Sequence, residues 1–212
     1  MTDKRYPDRP AGIVFVVSGP SGSGKGTVIR PCLERVPDLR YSVSATTREL
    51  RPDEIDGVHY CFVSRAAFED MLVSGRMLEH TEYAGNLYGT PCGPIDDWTA
   101  QGLDVIVEVE VEGTRSIRAK MPEAVLVLVI APTLSDLATR LRSRGTEDPG
   151  EIAARSARYG EELKAWPLYD YLIVNDDRHH AAEDLAAIIV AERLKLHRLA
   201  MQRFIDMGFG GV

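Results

Sequence analysis

Cysteine is scarce in this chain of 212 residues: Cys32, Cys61 and Cys92 are odd in number and widely spaced. No pair has metal-ligand spacing, so neither a disulfide framework nor a zinc site follows, and three reduced thiols of a cytoplasmic protein are expected. Long apolar runs are also missing. None approaches the roughly 18 residues that would span a membrane. Residues 1–10 are polar with two prolines and carry no signal-peptide apolar region, so a loose tail is expected there. Positive charge is in deficit, with 25 Lys and Arg against 32 Asp and Glu, and the net charge of -7 argues against a general nucleic-acid binder. There is no internal repeat, no Ser-His-Asp or zinc constellation and no Asn-Lys-x-Asp guanine motif. His59 has no partner set for a ligand, and His179 and His180 read as surface residues in a polar loop after the last strand.

What is present organises itself around one stretch, Gly-Ile-Val-Phe-Val-Val-Ser-Gly-Pro-Ser-Gly-Ser-Gly-Lys-Gly-Thr, at residues 12–27. Residues 13–17 form a short unbroken apolar run, as expected of a strand buried on both faces of a parallel sheet. Gly19, Pro20, Ser21, Gly22, Ser23, Gly24 and Lys25 then form a glycine-rich turn, and Thr27 opens a helix. Strand, glycine loop and helix N-terminus in that order make an anion site, because backbone N–H groups turn inward and the helix dipole favours negative charge. Lys25 would reach the β- and γ-phosphates of a nucleoside triphosphate. The P-loop pattern asks for Ser or Thr after the lysine. This chain has Gly26 there, with the hydroxyl one place later at Thr27, so a direct side-chain grip on Mg²⁺ is not expected. Mg²⁺ tolerates this by keeping waters and phosphate oxygens.

Beyond the loop, Pro31 should kink or restart the helix, which ends near residues 36–37. Short strands are expected at 42–48 and 58–63 around a turn-rich loop at 51–57. A helix over 66–74 is capped by Ser64 and closed by Gly75, and residues 79–83 and 86–90 complete a small mixed insert. Its density of Ser, Thr, Tyr and Arg suits a phosphorylated small ligand. Alternation then returns, with helices at 94–101, 114–120, 135–144, 151–165 and 180–203 and strands at 105–111, 124–130 and 171–174. Strands separated by such helices imply a parallel sheet with right-handed crossovers and ligands at the strands' carboxyl ends.

In this order the motifs resemble the guanylate kinases, nucleoside monophosphate kinases with a P-loop. The likeness spans about residues 12–191 and rests on the glycine loop, Ser-Val-Ser-Ala-Thr-Thr-Arg48, Arg51, Asp56-Gly57 with Tyr60, Glu79 and Tyr88-Gly-Thr90. Later come Arg140-Leu-Arg-Ser-Arg-Gly145, Arg155 and Tyr169-Asp-Tyr through Asn175-Asp-Asp177. A Gly after the P-loop lysine is a variant seen in that family. The resemblance implies a single α/β domain over 1–212: a parallel-sheet core flanked by helices (12–41, 93–139, 169–212), a small mixed α/β GMP-binding insert (42–92) and a helical lid (140–168). It implies transfer of phosphate from ATP to GMP, and to dGMP, with Mg²⁺, in purine metabolism.

Each candidate residue suits that chemistry. Two nucleotides with facing phosphates need a locally cationic site even in an acidic protein. Lys25 covers the donor side. Arg48 and Arg51 offer guanidinium forks for the GMP phosphate, and by resemblance Tyr60 and Tyr88 add hydroxyl donors. Glu79 is the base reader: guanine presents N1–H and N2–H₂ as adjacent donors, and a carboxylate offers two adjacent acceptors. Adenine would leave it unpaired, a discrimination on the order of 10⁴. By resemblance Ser44 and Thr90 donate to guanine O6, and Asn175 lies near the donor adenine. Glu108 and Glu110 alternate with valines, so both face one side of a strand, roughly 6–7 Å apart. The family carries Asp and Gln where this chain has Glu110 and Glu112, and both departures are notable. Arg140, Arg144 and Arg155 are lid residues that on closure would meet the transferring phosphoryl group and exclude water.

Three other readings compete: a binding module of the same fold, which typically lacks an intact phosphate loop; a kinase for a phosphorylated sugar, which needs no base reader; and a GTPase, whose motif is missing. Leu196, Leu199, Phe204 and Phe209 pack either on the core or on another subunit, so monomer and homo-oligomer stay open at this point.

Overall fold

The computed structural model describes residues 11–142, 159–160 and 162–198. In chain order the elements are β1 (Val14–Ser18), α1 (Lys25–Arg35), β2 (Leu39–Ser42), β3 (Ala45–Thr46), β4 (Cys61–Phe62), α2 (Arg65–Val73), β5 (Met77–Tyr83) and β6 (Asn86–Pro91). There follow α3 (Cys92–Ala100), β7 (Asp104–Val109), α4 (Val111–Lys120), β8 (Val125–Ile130), α5 (Leu134–Arg142), β9 (Tyr171–Val174) and α6 (Arg178–Arg193).

The period of two along β1 sets the layers. Ile13, Phe15 and Val17 pack on one side with Val28, Ile29 and Cys32 of α1 and with Ala181, Leu185 and Ile189 of α6. Val14 and Val16 pack on the other, with Ile95 of α3 and Ile117 of α4. A strand covered on both faces must read as an unbroken apolar run, which is what β1 and β8 are. The sheet order is β2-β7-β1-β8-β9, every neighbour parallel. Residues between β2 and β7 build a second sheet in the order β4-β3-β6-β5, with β3 and β4 parallel and the other pairs antiparallel. Its own small core joins Ala45, Phe68, Met77 and Leu87.

The differences from expectation have local causes. β2 was not read from the sequence: only Leu39 and Ser42 of its four residues are buried, too short a pattern to stand out at a sheet edge. β3 and β4 are two residues each. Beside them side chains take over from the ladder, since Thr46 Oγ1 donates to Leu87 O and Thr47 Oγ1 accepts from Leu87 N. α1 runs through Pro31 without interruption, carried by its buried face of Val28, Ile29 and Cys32. α4 starts three residues early, at Val111, directly after Glu110 as N-cap. α6 starts at Arg178 because Asp177 caps it, accepting from the N–H groups of His179 and His180. Those two histidines are exposed, as expected, but on a first helical turn rather than in a loop. α6 ends at Arg193, ten residues short of expectation. There Arg193 turns into the core: its Nε donates to Asp104 Oδ2 at 2.6 Å and its Nη2 to Pro37 O at 2.8 Å, while Asp104 Oδ1 accepts from Ile13 N at 2.8 Å. Of the segment 140–168 read as a lid, residues 143–158 and 161 lie outside the described residues, Arg144 and Arg155 among them; so do residues 199–212.

Candidate active site

The carboxyl ends of β1 and β7 lie side by side in register, Ser18 opposite Val109, and the loop from Gly19 to Gly24 leaves from that edge. Glycine is required there by space and by backbone. A Cβ on Gly19 would sit 2.1 Å from Val129 O, and Gly24, at φ 89°, would carry one 2.3 Å from the Asn175 amide nitrogen. Gly24 is the N-cap of α1. No side chain caps that helix and no acidic residue stands in its first turn, which suits an outside anion. Lys25 Nζ folds over the loop and donates to Gly19 O at 2.6 Å. Thr27 Oγ1 donates to Gly24 O at 2.7 Å. The Ser23 hydroxyl is buried with no hydrogen-bond partner among the described residues.

Two expected residues act on the loop from behind. Asn175 is 3% exposed, and its amide donates to Ser23 O at 2.8 Å. Arg140 donates to Asn175 O at 2.7 Å and to Ser23 O at 3.4 Å. Asn175 is therefore built under the phosphate loop, with its amide against the Ser23 backbone. Arg140 clasps the same turn in this structure.

Across the cleft stands the second sheet. Arg48 is gripped by Glu54, with Nη2 to Oε1 at 2.7 Å and Nη1 to Oε2 at 2.9 Å, and Nη1 also donates to Glu49 O. The guanidinium lies 5.5 Å from the ring centres of both Tyr60 and Phe62, and Tyr60 packs edge-on against Tyr88. Hydrogen bonds from Arg48 and from Arg51 N hold Glu54 well below the ordinary carboxylate range, at about 2. The Arg51 side chain is exposed on the same loop.

Glu79, on β5, is 7% exposed. Its Oε1 accepts from Thr90 Oγ1 at 2.7 Å, and burial pushes its carboxyl above the ordinary range, opposed chiefly by that hydrogen bond. Thr90 is fully buried behind it. Glu108 sits near the end of β7, and Glu110 just past it, still extended. Tyr41 donates to Glu108 Oε2 at 3.1 Å, and burial and Glu108 raise the phenol above its ordinary range, so it remains a donor. Gly26 faces this carboxylate: Glu108 Oε2 lies 4.0 Å from where its Cβ would be.

One cleft of about 820 Å³ gathers most of these groups, while Arg48, Arg51, Thr90, Asn175 and Arg140 stand behind or beside its lining. Pro20, Ser21, Gly22, Gly24, Lys25, Gly26 and Thr27 line one side, and Ser44, Tyr60, Glu79 and Tyr88 the other, with Glu108 and Glu110 between. Two residues unread in the sequence also line it, Tyr41 and Gly113, and Glu54 is a third unread residue, held against Arg48 on the insert. Glu54 lies six residues from Arg48 in a turn, a spacing with no regular period to flag it. Gly113 fell outside the expected helix, although a glycine inside a helix is itself a signal. His59 closes the insert loop, with Nδ1 accepting from Ile55 N.

No group of three or more His, Cys, Asp or Glu suited to a metal occurs among the described residues. The oxygen donors beside the loop, Thr27 Oγ1 and the Glu108 carboxylate, are nonetheless hard ligands. They fit an ion such as Mg²⁺ that takes most of its shell from phosphates and water.

Comparison with known proteins agrees with the geometry. The family model described as guanylate kinase matches residues 12–192. The guanylate kinase of Symbiobacterium thermophilum is 46% identical over 192 residues, covering 91% of each chain. That of Carboxydothermus hydrogenoformans is 45% identical over 93% of this chain and 97% of its own. The crystal structure of guanylate kinase from Anaplasma phagocytophilum superposes with a TM-score of 0.77 at 28% identity, covering 95% of this chain and 97% of its own. A phosphate loop at the carboxyl edge of a parallel sheet, opposite a buried glutamate, and similarity along nearly the whole length lead to one conclusion: the chain belongs to the guanylate kinase family.

Proposed function

We propose that this protein transfers the γ-phosphoryl group of ATP to GMP, giving ADP and GDP. The observation that carries the reading is the single cleft with the glycine loop and Lys25 on one side and the buried Glu79 on the other. The triphosphate lies along the loop and the N-terminus of α1, with Lys25 moving from the loop carbonyl to its phosphates. GMP lies across the insert. Its N1–H and N2–H₂ meet Glu79, its O6 is approached by Ser44, and its phosphate is met by Arg48, Arg51, Tyr60 and Tyr88. Guanine supplies donors that favour the charged carboxylate against the burial that disfavours it. Adenine, with an acceptor at N1, supplies no such return.

A GMP phosphate oxygen attacks the γ-phosphorus in line, and the bridging oxygen leaves with ADP. No strong base is needed, because a loose transition state depends on alignment and charge. Mg²⁺, held by the phosphates with Thr27 and Glu108 nearby, would neutralise charge on the triphosphate. Arg140, with Arg144 and Arg155, belongs to the lid that closes over the phosphates. Three free thiols suit a reducing cytoplasm. A binding module without chemistry is disfavoured by the intact loop and Lys25. The test is ADP release from ATP with GMP, dGMP, AMP, IMP or no acceptor. GMP and dGMP should be used and AMP rejected; equal rates with AMP and GMP would remove Glu79 from its role.

A further inference from the structure

We propose that Gly113 is a positioning residue for base recognition: by carrying no side chain it lets α4 close against the Glu79 carboxylate and fixes where guanine meets it. The inference rests on Glu79 reading guanine, as proposed above. A Cβ on Gly113 would lie 2.9 Å from Glu79 Oε2 and 3.3 Å from its carboxyl carbon, and 3.2 Å from Val109 Cβ. The other oxygen, Oε1, is held by Thr90. The carboxylate is thus seated between a hydroxyl on β6 and a bare helix surface on α4.

The backbone gives glycine no other reason to be there. Gly113 is buried in the first turn of α4 and does not have positive φ, and alanine is the better helix former. Nor does α4 simply back away. At its far end Lys120 Nζ donates to Leu78 O at 2.7 Å and to Met77 O at 3.1 Å, tying the helix to the strand that carries Glu79. An added methyl would press hardest on the far end of a flexible side chain, at 2.9 Å, and less on Val109 Cβ, at 3.2 Å, so the carboxylate gives way first. Gly89 is different: its Cβ would strike Glu79 O at 2.7 Å and the Phe68 ring at 3.0 Å, a clash with backbone and core.

Gly113→Ala and Glu79→Gln are compared with wild type by steady-state kinetics in ATP, GMP and AMP, together with thermal melting. Gly93→Ala, a helical glycine with nothing within 4 Å of its Cβ, is the control. Gly113→Ala should raise KM for GMP roughly tenfold or more, the loss of a well-placed bond to a charged group. KM for ATP should stay within about twofold, the preference for GMP over AMP should fall, and melting should be unchanged or higher. Gly93→Ala should alter none of these. If Glu79→Gln raises KM for GMP and Gly113→Ala does not, the seat is wrong while the base reader stands. If Gly113→Ala melts lower, the packing against Val109 yielded instead, which also overturns the seat. If Glu79→Gln leaves KM for GMP unchanged, the base reader itself falls.

Discussion

Two arginine–carboxylate pairs of the same chemistry serve opposite ends of the molecule. Arg193 and Asp104 meet at the amino edge of the parallel sheet with side chains 3% and 0% exposed, and each also bonds backbone: Asp104 accepts from Ile13 N and Arg193 donates to Pro37 O. Arg48 and Glu54 meet on the insert with both side chains 15% exposed, beside tyrosines that line the cleft. A buried pair is weak evidence of net stabilisation, but removing one partner strands a charge that cannot be rehydrated. A pair at the rim of a cleft keeps some access to water, so losing one partner strands its charge less completely; it holds a guanidinium in a fixed orientation. The first pair joins β1, β7 and α6, while the second prepares a site.

The sharpest way to break this comparison is Asp104→Asn. The change removes the carboxylate charge that Arg193 Nε meets at 2.6 Å in the core, and the loss should be about 3–5 kcal/mol of folding stability, read as a lower denaturant midpoint. KM for both nucleotides should not change in the folded fraction, since the pair lies at the opposite sheet edge from the cleft. Lys25→Ala should do the reverse. Turnover should fall about 10²–10³-fold, as for loss of one preorganised electrostatic contact, with GMP binding retained and melting nearly unchanged. If the lysine variant keeps more than roughly a tenth of the wild-type rate, Lys25 does not hold the donor phosphates.

Legibility in the sequence follows the same division. β1, β8 and the loop between β1 and α1 could be read because each is specified locally: continuous apolar runs and glycines at a fixed spacing suffice. Glu79 could be singled out because the motifs on either side of it fix its place in the insert, and the fold buries it in the wall of the cleft. What could not be read depends on residues brought together from far along the chain. Asn175 and Arg140 meet Ser23 only after the whole sheet is assembled. Tyr41 and Glu108 meet because β2 lies beside β7. The end of α6 depends on Asp104, 89 residues away. Glu54 was hidden for another reason: a turn has no period, so nothing in the sequence says which of its acidic residues closes on Arg48.

Glu54 gives the smallest and most discriminating test. Its folded carboxyl sits at about 2, below the ordinary 4.5, so its contribution is present above the ordinary value and is lost as pH falls toward 2. At neutral pH the pair is therefore fully formed, and pH will not report on it. Glu54→Gln keeps the shape but removes the charge. If Glu54 orients Arg48 for the acceptor phosphate, KM for GMP should rise a few-fold, about three- to tenfold, with KM for ATP, kcat and melting close to wild type. If Glu54 instead competes with phosphate for the guanidinium, KM for GMP should fall. The geometry favours orientation: Glu54 occupies Nη1 and Nη2, Glu49 O shares Nη1, and two aromatic rings flank the group. A guanidinium so framed is fixed in orientation before the phosphate arrives, so less side-chain freedom is lost on binding, and the phosphate is met by the edge that Glu54 does not occupy.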